Sequence, residues 1–227
     1  MVIPVYNEVS TIGRALVQVT KAVPGVAKQI IVVDDSSSDG TTQWLTRNLG
    51  HARGVWRSIS VDGDGELQLA ADGTQNTIGC SFTVLIHQQN RCKGAAVRAG
   101  LACVSGDVVV IQDADLEYDP HDWSRMLPLI IDRKVADVVY GSRFYGRPYR
   151  SLYYHHYIGN RIISIVFNIL HDQMLTDIEV CYKMFTREVL RGLALYPYPA
   201  KAGCPTIAGR RRTRTAPAGM APALSWS

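Results

Sequence analysis

Two acidic clusters, each following a run of branched aliphatic residues, are the parts of this sequence best suited to chemistry. The first is Val33-Asp34-Asp35-Ser36-Ser37-Ser38-Asp39-Gly40-Thr41, and the second is Asp113-Ala114-Asp115-Leu116-Glu117. Two carboxylates two positions apart at a strand end can take a hard cation that also binds phosphate oxygens. The same residues suit a plainer role, with Asp113 and Asp115 as turn formers and Ser38 or Asp39 as a helix N-cap. Their order along the chain favours the chemical reading. In parallel sheets ligands bind outside the carboxyl ends of the strands, so acids placed there converge on one crevice.

The elements that must position them follow from periodicity. Strands are expected at Val2–Val5, Gln29–Asp34, Val84–His87, Asp107–Asp113 and Ala136–Tyr140, each dominated by Val and Ile. Helical spacing of apolar residues covers Thr11–Lys21, where Ile12, Ala15, Leu16 and Val19 share a face. Further helices are expected over Asp39–Asn48, Gly94–Val104 and Asp122–Asp132. This alternation predicts an α/β fold with a parallel sheet. Residues 53–79 interrupt it with Asp62-Gly63-Asp64-Gly65 between Ile59/Val61 and Leu67/Leu69, the pattern of a hairpin-like insertion.

Charge and composition narrow the function classes. The 227 residues carry a formal net charge of +4, but residues 197–227 hold Lys201, Arg210, Arg211, Arg212 and Arg214 with no acid. Without them the body has 19 basic against 20 acidic residues, so it shows no electrostatic footprint for nucleic acid. Residues 197–227 also lack any helical or strand period and are expected to be a disordered or aberrant tail. The cysteines (Cys80, Cys92, Cys103, Cys181, Cys204) are odd in number and show no CxxC spacing, which fits a reducing cytosolic compartment. Met1-Val2-Ile3-Pro4 lacks the basic n-region of a signal peptide, and no run approaches the ~18 apolar residues of a spanning helix. Any membrane contact is therefore expected at the cytoplasmic surface.

Several motifs in order resemble family 2 glycosyltransferases. Val2-Ile3-Pro4-Val5-Tyr6-Asn7-Glu8 resembles their opening strand, and Val32 to Thr41 their second strand and turn. Asn90-Arg91-Cys92-Lys93-Gly94 is similar to an Asn-x-Gly-Lys-Gly segment, and Asp113-Ala114-Asp115 to their metal motif. Gly141-Ser142-Arg143 and Thr176 to Lys183 resemble the polyprenyl-phosphate sugar transferase branch, which includes dolichol-phosphate mannose synthases. The resemblance covers about residues 2–195, apart from the insertion. It implies a GT-A nucleotide-diphospho-sugar transferase fold, Rossmann-like, with a mostly parallel sheet flanked by helices. The implied activity is inverting transfer of a hexose from a GDP- or UDP-sugar to dolichyl or undecaprenyl phosphate.

By the same resemblance, Pro4, Tyr6 and Glu8 hold the nucleoside, with Val33 and Asp35 at the base. Lys93, Ala114 and Arg161 join the donor or acceptor contacts. Asp113 and Asp115 bind Mg²⁺ or Mn²⁺, and Glu117 completes the shell. A lipid phosphomonoester is mostly dianionic at neutral pH and needs no proton removed, only positioning and cationic clamps. Arg143, Arg161 and Lys183 are the clamps expected, with Asp177 and Glu179 orienting them or touching the sugar. A saccharide hydroxyl acceptor would instead require a general base, for which Asp177 or Glu179 is the candidate. Other readings are an inactive nucleotide-binding fragment and a dinucleotide-dependent oxidoreductase. The second is disfavoured because Tyr6-Asn7-Glu8 offers no glycine and puts an anion where pyrophosphate would sit.

Three local expectations complete the reading. Residues 158–170 form an apolar helix suited to the membrane interface, to a dimer contact or to the core. Cys92 stands where the family usually has glycine, so a positive φ there would strain the loop beside Lys93. The family also continues past residue 195 with an acceptor-side segment that the tail does not resemble, so that side is expected to be incomplete.

Overall fold

The computed structural model describes residues 1–50, 55–61, 67–71, 79–141, 154–178 and 180–192. The tail over 197–227, Arg143 and Glu179 lie outside the described residues. In chain order the elements are β1 (Val2–Val5), α1 (Ile12–Lys21), β2 (Lys28–Asp34), α2 (Thr41–Leu49), β3 (Val55–Val61), β4 (Leu67–Ala71) and β5 (Cys80–Ile86). Next come α3 (Lys93–Ala102), β6 (Val108–Ile111), α4 (Trp123–Ile130), β7 (Val138–Tyr140), α5 (Tyr154–His171), β8 (Lys183–Thr186) and α6 (Arg187–Gly192).

One eight-stranded sheet runs in the order β4-β3-β5-β2-β1-β6-β8-β7. Its centre, β5-β2-β1-β6, is parallel throughout. The two strands that run against the rest are β3 and β8. The chain moves outward from β1 through β2 to β5, then crosses back to place β6 on the other side of β1. That reversal is a topological switch point, where such sheets bind ligands. The loops leaving β1 and β6 flank it, and they carry Tyr6–Glu8 and Asp113–Asp115.

Alternation along the strands creates two cores. Ile3, Val5, Ile30, Val32 and Val110 face Ile12, Leu16 and Val19 of α1, Leu45 of α2 and Met126 of α4. Val2, Ile31, Val33, Val109 and Ile111 face Ala96, Val97 and Leu101 of α3. Leu16 is fully buried, and truncating such a side chain to Ala costs about 2–5 kcal/mol. Gly100 lets α3 approach the sheet, because a Cβ there would lie 2.4 Å from a Val2 methyl.

Several boundaries differ from expectation for identifiable reasons. The helix expected from Asp39 starts at Thr41, because Gly40 takes a left-handed φ of 102° and the Asp39 carboxylate accepts from Thr41 N at 3.0 Å. The strand expected at Val84 begins at Cys80, since all seven residues of β5 pair with β2. The segment Ala136–Tyr140 supplies β7, but its hydrogen-bonded neighbour is the antiparallel β8. Strands β3 and β4 pair antiparallel and extend the sheet beyond β5.

Candidate active site

The loops after β1 and β2 are laced together by hydrogen bonds. Asn7 tolerates a left-handed φ of 58° and turns its side chain to accept from Ser38 N at 2.8 Å, while Asn7 N donates to Ser37 Oγ at 2.9 Å. Glu8 N donates to Thr41 Oγ1 at 2.9 Å, and Val9 N to Asp39 Oδ2 at 3.1 Å. Asp34 accepts from the Ser37 and Thr42 hydroxyls, so its carboxylate serves the turn. Asp35, on the opposite face of the strand, is left for the cavity.

That cavity measures about 360 Å³ and is lined by Pro4, Tyr6, Glu8, Asp35, Asn90, Cys92, Lys93, Asp113, Ala114 and Asp115, with Val5 and Ala96 beneath. The size is within the usual range for small-molecule sites. Both acidic clusters therefore open on one crevice at the carboxyl ends of β1, β2 and β6. Glu8 also accepts from the Thr11 hydroxyl at the start of α1, so it has a structural bond as well as a place on the wall. Asp35 is 2% exposed. Its Oδ1 receives His87 Nδ1 at 2.7 Å and Arg91 N at 2.9 Å.

Asp113 and Asp115 behave differently. Asp113 is buried, and its Oδ1 lies 2.6 Å from Lys93 Nζ as an ion pair without accepting an aligned hydrogen bond. Burial works against the Lys93 charge, but Asp113 and the nearby Cys181 outweigh it and hold the ammonium above the ordinary lysine range. Asp115 is exposed and caps its own turn by accepting from Glu117 N at 2.8 Å. The turn passes through Leu116 at φ 63°, a conformation uncommon for a bulky residue and frequent at functional sites. Gln112 closes it from below by donating to Tyr118 O at 3.0 Å.

Two carboxylates on one wall, with a cation already drawn to the inner one, fit a small divalent ion that takes hard oxygen ligands. Among the described residues no three His, Cys, Asp or Glu side chains gather as a cage. Glu117, expected to complete the shell, does not line the cavity. The remaining ligands would have to come from diphosphate and water.

Other expected site residues fall elsewhere. Val33 is fully buried against α3 and does not line the cavity, because its face of β2 is covered there. Lys183, expected as a cationic clamp, does not line the cavity. It pairs with Ile111 and Tyr140 inside the sheet, is 6% exposed, and sits 5.3 Å from the Tyr140 ring centroid. Asp177 is buried, and Arg161 lies partly exposed on α5; neither lines the cavity. Sequence reasoning missed His87, whose contact depends on register between β2 and β5, and Cys181 beside Lys93. Cys92 adopts φ 68°, ψ 157°, a region that is essentially glycine-only, so the strain expected of it is present on the cavity wall.

Helix α5 has inverted polarity. Ser164 is buried and accepts from Ile178 N at 3.3 Å, and Asn168 bonds both N and O of Leu175. Outward it presents Ile158, Ile162, Ile163, Ile165, Val166, Ile169 and Leu170, the last two more than 70% exposed. Among the described residues no helix is long and apolar enough to cross a membrane.

The sequence matches Glycosyl transferase family 2 over residues 1–58 and 59–193. The chain belongs to glycosyl transferase family 2. An undecaprenyl-phosphate 4-deoxy-4-formamido-L-arabinose transferase of Serratia proteamaculans is 25% identical over 195 residues, covering 85% of this chain and 50% of the relative. A protein of the same name from Salmonella choleraesuis is 26% identical over 129 residues, 56% of this chain and 32% of its own. This family 2 chain thus spans about half the length, or less, of these curated relatives.

Solved structures support the GT-A fold. Glucosyl-3-phosphoglycerate synthase from Mycobacterium tuberculosis, in complex with Mn²⁺, uridine diphosphate and glucosyl-3-phosphoglycerate, aligns with TM-score 0.55 at 19% identity. The alignment covers 85% of this chain and 57% of that one. A Pyrobaculum calidifontis mannosyltransferase in complex with GDP-Man and Mn²⁺ aligns with TM-score 0.51 at 20% identity, over 90% and 48% of the two chains.

Proposed function

We propose that this family 2 chain transfers a hexose, with inversion, from a UDP- or GDP-sugar to a polyprenyl phosphate at the cytoplasmic face of a membrane. The observation that carries the proposal is the meeting of Asp35 with Asp113 and Asp115 in one cavity at the switch point. A base imide N–H needs an acceptor, and the Asp35 carboxylate supplies one. Tyr6 and Pro4 offer apolar surface to the nucleoside. Lys93 and the first turn of α3 bring positive charge to the same wall, which suits a diphosphate.

Asp113 and Asp115 would hold Mg²⁺ or Mn²⁺, which when bound neutralises charge growing on the departing nucleoside diphosphate. The acids on the wall are already engaged: Glu8 with Thr11, Asp35 with His87, Asp113 with Lys93 and Asp115 with Glu117 N. That engagement suits an acceptor arriving as an anion better than a hydroxyl needing a base. The relatives' names, which specify undecaprenyl phosphate, support the same acceptor class. The apolar outer face of α5, a helix with Arg161 and no acidic residue, supports peripheral contact with the lipid surface.

The test is transfer itself. Labelled UDP- and GDP-hexoses are offered with Mn²⁺ or Mg²⁺ to undecaprenyl phosphate and, separately, to saccharide acceptors. Label is expected in the lipid fraction, with loss in Asp115→Ala. Transfer confined to saccharides would replace the acceptor assignment, and binding without transfer would leave a nucleotide-binding fragment.

A further inference from the structure

Strands β2 and β5 keep parallel register as far as Asp34 and Ile86, so Asp35 and His87 leave adjacent strands at matched height. His87 N extends the ladder by donating to Asp34 O at 2.9 Å. Matched side chains of neighbouring strands emerge on the same face about 4.8 Å apart. Here they meet, with Nδ1 at 2.7 Å from Oδ1. A carboxylate has no hydrogen to give, so Nδ1 carries the hydrogen and donates it. Arg91 N straddles both oxygens, at 2.9 Å from Oδ1 and 3.1 Å from Oδ2.

A carboxylate oxygen has about two acceptor positions. Oδ1 receives two donors and is saturated, whereas Oδ2 shares one donor and keeps one position open. We propose that His87, by saturating one oxygen of Asp35, turns the base subsite into a single-acceptor reader that selects uridine over guanosine nucleotides. Uracil presents one imide N–H, which the open position of Oδ2 satisfies. Guanine presents two adjacent donors, N1–H and N2–H, whose natural partner is a carboxylate with both oxygens open. Seated here, it would leave one donor unpaired, and a site that leaves a buried polar group unpaired rejects its ligand strongly. The inference rests on the reading of Asp35 as the base acceptor, and it makes His87 a positioning residue.

Titration calorimetry of the full chain with UDP and with GDP, each with Mn²⁺, tests it. The wild type is expected to bind UDP tighter than GDP by about tenfold or more. His87→Ala opens Oδ1, and the two affinities should then converge to within about threefold. His87→Asn, whose side-chain amide can donate from the position of Nδ1, should retain the preference, a rescue that loss of packing would not produce. GDP binding as tight as UDP in the wild type overturns this proposal while leaving the donor site standing. An unchanged ratio in a folded His87→Ala protein overturns it as well. Binding of neither nucleotide overturns the donor-site reading and this proposal with it. The wild-type ratio decides even if an alanine at residue 87 prevents folding.

Discussion

At the scale of single residues, two side chains carry a cost in the folded state. Cys92 holds a backbone conformation that costs about 1–3 kcal/mol for any residue but glycine. Cys92→Gly should recover about 1 kcal/mol after the extra freedom of an unfolded glycine is subtracted, raising the thermal midpoint by roughly 2–4 °C. A lower midpoint would show that the thiol contributes more than the strain removes. Asp122, at the start of α4, is the other. Burial first, then the Asp119 charge, push its carboxyl from 3.8 up to about 6, against opposing pulls from Arg125 and His121. Between those values the folded chain holds a proton that the unfolded chain has released. The stability this proton confers is complete below about pH 4 and is lost as pH rises through 6. Asp122→Asn should therefore raise the midpoint at pH 7 and flatten its dependence across that window, as a melting series would record. A steeper dependence would contradict the assignment.

At the scale of elements, the outer face of α5 is the boldest feature. Exposed apolar surface of this extent on a helix whose inner face is polar marks an interaction surface. The full chain is expected to sediment with vesicles rich in phosphatidylglycerol. Ile162→Glu combined with Ile169→Glu should abolish this without changing the fold, since both side chains are exposed. Vesicle-independent self-association, lost in the same variant, would assign the face to a second copy instead. The apolar run of this helix was legible in the sequence, but which side faced outward was not. The buried side is held by Ser164 and Asn168, polar residues that bond the backbone of the following loop rather than pack as apolar groups. Strand β8 was illegible for a related reason. Lys183-Met184-Phe185-Thr186 is too short for a period to register, and its place between β6 and β7 is a long-range pairing.

At the scale of the whole molecule, the central parallel strands were foreseeable, because their Val and Ile runs are local signals, whereas the strand order that creates the switch point is long-range. The meeting of Asp35, Asp113 and Asp115 on one cavity was legible, because their placement follows from their position after a strand. The surroundings of His87, Val33 and Lys183 were not legible, because they depend on register or on which face of an element is covered. A ligand that binds only the folded form stabilises it by linkage. UDP and Mn²⁺ together, near 100 times the dissociation constant, should add about 2.7 kcal/mol, or roughly 5–10 °C in the midpoint. Asp115→Ala should lower the unliganded midpoint by a few degrees at most, through loss of the bond from Glu117 N, and lose the Mn²⁺-dependent part of the rise. An equal rise in the variant would place the ion elsewhere.

Under the proposed function, the lacing of the first two loops bears on how donor choice can change. Asn7, Asp34, Asp39 and Thr41 hold the rim's contour through hydrogen bonds within and between the two loops, so that contour is costly to alter. If the cavity takes the proposed donor, discrimination among sugars and nucleobases falls to the few side chains outside the stitching. On that reading, point changes on the cavity wall could exchange one donor for another without rebuilding the mouth that the two loops form.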